Sequence, residues 1–146
     1  MPSWPPVRHP HQLFLMAASL VSGAVGLAYG GAASSGTVRT LLPPALVLVW
    51  QLTLVVSGTL GLLAAVLAYR DGVLSLLMER IALGSVGVLA CVYALATQMT
   101  VGLPAVHIAA MTGGYGMACL VRMAQVHQVL RWLNGIADRA QDDQPA

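Results

Sequence analysis

The sequence predicts an all-α integral membrane protein: four transmembrane helices in a small bundle, followed by a short cytoplasmic amphipathic helix at the C-terminus. Three observations carry that prediction. Apolar stretches at residues 13–29, 43–69, 81–101 and 103–121 fill most of the 146-residue chain. Hydrophobic residues make up 58% of the chain and charged ones 8%, whereas soluble domains are about one quarter charged. The breaks between the stretches are too short to be domains, so there is no soluble core to hide so much apolar surface. At a rise of about 1.5 Å per residue, the first stretch covers roughly 26 Å and the third roughly 32 Å, against a hydrocarbon core of about 30 Å.

The elements follow in order. Residues 2–11 hold four prolines, each fixing φ and lacking an N–H, so residues 1–12 read as an extended segment. The first apolar run comes next. It has a rival reading as a signal peptide: Arg8, the run itself, then Gly31, Ala32 and Ala33 as a small-residue cleavage site, which would leave three spans. The run of roughly 17 residues exceeds the usual h-region of about 7 to 15. Residues 30–40 are small and polar and read as a flexible outer loop. Pro43 and Pro44 suit the start of the second span, where a missing N–H costs little. Arg70, Asp71 and Gly72 form a tight inner turn. Residues 73–78 read either as the first turns of the third helix or as an interfacial segment leading to Glu79 and Arg80. Pro104 opens the fourth span.

Beyond residue 122 the pattern changes. Met123, Val126, Leu130, Leu133 and Ala137 form an a/d-type seam, with polar residues on the other faces. The seam is too short to establish a coiled coil alone, and an amphipathic helix on the inner membrane surface, with Arg131 and Trp132 at the headgroups, explains the same pattern and is the reading favoured. The chain therefore divides into an extended segment (1–12), a transmembrane domain (13–122) and an amphipathic helix with a polar tail (123–146).

Charge placement predicts orientation. All seven basic residues are arginine. Reading four spans, Arg8, Arg70, Arg80, Arg122, Arg131 and Arg139 share one side and Arg39 alone lies on the other. Arginine bias in short loops marks the cytoplasmic side, so both termini are expected there, in a multi-pass protein of the bacterial plasma membrane. The formal charge of +2 is too small to suggest a nucleic-acid partner.

Within the spans, small residues stand at helix-packing positions: Gly23, Gly26 and Gly30 in the first, Ser57 and Gly61 in the second, and in the fourth Ala109 and Gly113 on one row, Gly114 and Ala118 on the next. Without a hydrophobic drive between helices in lipid, such residues supply packing by letting backbones approach. They serve either one bundle or self-association into a homo-oligomer. Glu79 and Arg122 fall at similar depth on antiparallel spans and suit an ion pair at the inner surface; the alternative is that each snorkels to the interface. Gln51, Gln98 and His107 fall at comparable outer depths and suit a polar cluster. If Glu79 and Arg122 share a depth, Cys91 stands roughly 18 Å above that level and Cys119 about 5 Å, too far apart for a disulfide. His9 and His11 flank Pro10 without thiolates or carboxylates nearby, a weak metal site. No catalytic, cofactor-binding or metal-binding pattern emerges. The mid-span stretches are nearly devoid of polar groups, which argues against an enzyme, and no repeat relates the first pair of spans to the second, which argues against an inverted-repeat transporter.

The segment Arg8–His9–Pro10–His11–Gln12, Leu42–Pro43–Pro44 before the second span, and Glu79–Arg80 in the third together resemble small four-span membrane proteins encoded by phages of actinobacteria. That resemblance covers the whole chain through short motifs, and implies a holin-like protein that assembles in the membrane and forms lesions. The chain departs from the holin pattern in its number of spans and in a tail of mixed charge (Asp138, Arg139, Asp142, Asp143). The expectation is a non-enzymatic structural or accessory membrane protein that self-associates and needs no cofactor. Its expected partners are the lipid bilayer and another membrane protein, and a holin-like oligomer is the alternative.

Overall fold

The computed structural model describes residues 10–30, 36–68 and 70–142, and these are helical with short connections. The helices are α1 (Pro10–Ala28), α2 (Gly36–Leu41), α3 (Pro44–Leu67), α4 (Gly72–Val101) and α5 (Val106–Asp142), with a single 3₁₀ turn, Leu103–Ala105, before α5. Three helical stretches, Pro44–Leu67, Gly72–Val101 and Leu103–Ile136, are long and apolar enough to cross a membrane, while the apolar run of α1, Gln12–Ala28, is shorter.

Local chemistry explains each boundary. α1 begins at Pro10, because proline has a helical φ and its missing N–H is an orphan in a first turn anyway; residues 10–12 of the expected extended segment are therefore helical, and the rest of it lies outside the described residues. The chain leaves α1 through Gly30, whose φ of 57° is the left-handed conformation that closes many helices. Of the loop between the first two spans, residues 31–35 lie outside the described residues and the remainder is helical from Gly36. α2 forms one short helix whose Val38 is buried, and α2 packs mainly on α4. Pro43 is the N-cap of α3 and Pro44 its first residue. At the next turn the Asp71 carboxylate accepts from Leu74 N at 3.0 Å, which starts α4 at Gly72. Residues 73–78 are thus the opening turns of α4, continuous with the span. Gly102, at φ 71°, ends α4 and allows the reversal into Leu103–Pro104–Ala105. α5 then runs 37 residues, about 55 Å, and passes Arg122 without interruption, so the segment after residue 122 is no separate helix.

Successive helices pair in antiparallel fashion: α1 with α3, α3 with α4, and α4 with α5. α1 does not pair along its length with α5, so the arrangement is a row that is open over most of its length, its two end helices drawn together only around Met16, Cys119 and Glu79. Missing side chains make the close approaches. A Cβ on Gly58 would lie 2.7 Å from Met16 O, and one on Gly23 2.7 Å from Gln51 O, so α1 and α3 meet backbone to backbone. Between α4 and α5, a Cβ on Gly116 would lie 2.8 Å from Gly87 O and one on Gly87 3.0 Å from Gly116 O. Ser75 Oγ donates to Ala64 O at 2.8 Å in a buried contact, tying the start of α4 to the end of α3. Met16, Ala82, Leu83, Val86 and Cys119 form the core where three of these helices meet.

The outer surface is apolar, including Phe14, Val66, Leu95, Met99 and Met111. Thr53, Thr59, Ser85, Thr100 and Thr112 each donate to the carbonyl four residues back, at 2.8 or 2.9 Å. Hydroxyls satisfied within their own helix need no water, which is the arrangement a lipid solvent demands.

Candidate functional site: a buried carboxylate between three helices

The N-cap at Asp71 fixes where α4 begins, and the helical period then puts Ser75, Glu79, Ala82, Leu83 and Val86 on its buried face. Glu79 is only 3% exposed. An ionised carboxylate there is tolerable only if it is paired and hydrogen-bonded. Arg122 Nε from α5 lies 3.3 Å from Glu79 Oε1, and Gln12 Nε2 from the start of α1 donates to the same oxygen at 3.0 Å. The carboxylate thereby joins helices at both ends of the row. The Arg122 side chain is 37% exposed, so the pair is reached by solvent or headgroups from the Arg122 side and is not sealed in the core.

Beside the carboxylate is a cavity of about 10 Å³, lined by Gln12, Leu13, Met16, Gly61, Glu79 and Ala82. That is the room one water molecule needs, and it leaves none for a substrate. Among the described residues, Thr97 Oγ1 and His127 Nδ1 are the buried side-chain polar atoms without a hydrogen-bond partner. They lie on different helices, α4 and α5, and no nucleophile–base pairing involves either. Among the described residues no group of three or more His, Cys, Asp or Glu side chains is placed to hold a metal ion.

The structure brings Glu79 and Arg122 together and adds Gln12, which charge placement alone does not single out. Counting antiparallel spans from the inner surface puts Gln12 at the same depth as Glu79, and that count is the signal the sequence offers. Toward the opposite ends of the helices, Gln51 of α3 is buried beneath Gly26, whose Cβ would lie 2.7 Å from Gln51 Nε2. His107 is exposed. Among the described residues neither Gln98 nor His107 makes a side-chain hydrogen bond, so Gln51, Gln98 and His107 do not close into a hydrogen-bonded cluster.

The small residues divide by face. Gly23, Gly26 and Gly61 stand against α3 or α1 side chains and backbone, and Gly113 stands 3.3 Å from Ala94 Cβ by the same construction. Ser57 is buried and Ala109 half-buried. Gly30 has nothing within 4 Å of a Cβ; its place is a helix end, not a packing surface. Gly114 also has nothing within 4 Å, and Ala118 is exposed, so that row faces outward. Gly58, Gly84, Gly87 and Gly116 are close-approach positions that small-residue spacing of four does not find. The pairs Gly84/Gly87 and Gly113/Gly116, three apart, are the signal that does.

The depth expected for the cysteines needs correction. A Cβ on Gly116 would lie 3.0 Å from Cys91 N, and Cys119 is three residues further, about 4.5 Å along the axis. Cys91 and Cys119 are thus closer in depth than equal placement of Glu79 and Arg122 implies, because the two long side chains slope to reach each other. Both cysteines are free.

Fold and site together define a helical protein whose long apolar helices suit a bilayer and whose buried charge is tied up in joining them. Comparison with known protein families, with curated proteins and with solved structures returned no match, so the functional reading stands on geometry and sequence.

Proposed function

We propose that this chain is a multi-pass protein of the bacterial plasma membrane, with four spans and both termini cytoplasmic, acting as a structural or accessory subunit and not as an enzyme. The observation that carries the reading is the open row. α1 packs along its length on α3 and α5 on α4, the two sharing only the core around Met16 and Cys119 and the contacts to Glu79, and each carries large exposed apolar side chains, Phe14 and Val21 on α1, Met111 and Met117 on α5. Such edges accept further helices, either from a second copy or from another membrane protein. α1, at 19 residues, is about 28 Å long and matches the hydrocarbon thickness within a few ångströms. Arg70, Arg80, Arg122, Arg131 and Arg139 fall at or beyond one end of the row and Arg39 at the other, the asymmetry of an inside-positive protein.

The test is induction of the gene in a bacterium with membrane potential recorded continuously. An accessory protein leaves the potential intact and co-purifies in an assembly of defined size. Collapse of the potential on expression alone would replace this reading with the holin-like one. Reporter fusions at Ala146 and within residues 34–40 test the topology, and an external C-terminus would overturn it.

A further inference from the structure

Arg80 follows Glu79 in the chain, but the helical period turns it to a different face of α4. There it lines an open groove of about 570 Å³ between α4 and α5, together with Leu77, Ile81, Gly84, Val88 and Leu120. The volume lies within the roughly 300–1,000 Å³ range of small-molecule sites. Gly84 has no side chain, so Met123 of α5 closes over it, with Sδ 2.8 Å from where a Cβ would be, and Met123 and Ser85 complete the groove wall. Arg80 is half-buried, and among the described residues its guanidinium has no hydrogen bond or ion pair.

Depth matters as well. The roughly 20 residues needed to cross the hydrocarbon layer end at Ala82 when counted back along α4 from Val101. Counted forward from Leu103, they end at Arg122. Arg80 therefore stands just outside the hydrocarbon, where lipid phosphates lie. From Arg80 to Val88 the groove runs about 12 Å inward, most of the roughly 15 Å that one leaflet's acyl chains occupy. A cation without a partner among the described residues sits at phosphate level, and an apolar trough leads from it toward the bilayer centre. That is the shape and polarity of a phospholipid.

We propose that this groove is a specific site for one anionic phospholipid, its phosphate on the Arg80 guanidinium and an acyl chain along Ile81, Ser85 and Val88. A guanidinium at this depth needs a counter-ion more than one in water does, and its planar fork suits phosphate oxygens. The proposal rests on membrane placement and is independent of whether the protein is accessory or lesion-forming.

The test reconstitutes the full chain in bilayers of equal phosphatidylglycerol and phosphatidylcholine, then counts retained lipids by native mass spectrometry. Wild type should keep one phosphatidylglycerol in preference to phosphatidylcholine. R80Q should lower that preference roughly fivefold, the effect of one arginine near an anionic surface, while R80K keeps most of it. R70Q removes an equal charge from the exposed turn outside the groove and should lower the preference clearly less than R80Q does. V88W fills the inner end of the groove with Arg80 intact and should reduce retention of both lipids. Equal preference in wild type and R80Q, or an equal loss in R70Q, would overturn the site. Failure of wild type to insert at all would instead overturn the membrane reading.

Discussion

Replacing Gly116 with alanine adds one methyl group to α5 at a point where α4 leaves no room for it. The new Cβ would lie 2.7 Å from Cys91 Sγ, 2.8 Å from Gly87 O and 3.0 Å from Cys91 N. Two of these neighbours are backbone atoms and cannot rotate away, so the helices must separate by about half an ångström or more for ordinary contact near 3.5 Å. Overpacking of this kind costs about 1–3 kcal/mol. Alanine at Gly114, two residues earlier, meets nothing within 4 Å. Both changes gain the same helix propensity, about 1 kcal/mol in favour of alanine, so the difference between the variants isolates the contact. G116A should be less stable than G114A by roughly 1–3 kcal/mol, and G114A should equal or exceed wild type. Unfolding of the full chain in mixed micelles of increasing denaturing-detergent fraction, followed by circular dichroism, measures the difference. A G116A variant as stable as G114A would refute the α4–α5 register, and with it the placement of Glu79 beside Arg122.

The same geometry fixes three further outcomes. In a double-mutant cycle of E79Q and R122Q, the coupling should be about 0.5–2 kcal/mol, below that of a fully buried pair because Arg122 keeps surface access; additive effects would mean the contact contributes nothing. D71A removes the side-chain acceptor for Leu74 N and should cost about 1 kcal/mol, with faster amide exchange confined to the first turn of α4, whereas D71N should retain most of the protection. Leucine at Gly113 crowds Ala94 and should lower stability, while leucine at Gly114 should leave a folded protein of smaller assembly size, read by crosslinking in native membranes. Unchanged assembly with G114L would remove the outward row as a contact between copies.

Much of the architecture is legible in the sequence by itself. A bilayer accepts only segments that satisfy their own backbone and reach across about 30 Å, so the apolar run between Arg70–Asp71–Gly72 and Gly102–Leu103–Pro104 has to be a helix of roughly the observed length. Turn chemistry is equally local: the Asp71 cap, the proline start at Pro44 and the glycine stop at Gly102 depend on nothing distant. What only the tertiary structure decides is which faces meet. In water, apolar periodicity would point each helix toward its core, but in lipid both faces are apolar and packing is decided by shape. Gly114 continues a small-residue row with Ala118 and Gly116 pairs at a spacing of three with Gly113, yet only the structure shows that the first faces outward and the second touches the backbone of Gly87. The place of Gln12 beside Glu79, the continuation of α5 past Arg122, and the open row in place of a closed bundle depend likewise on how helices distant in the chain fit together, which no local pattern encodes.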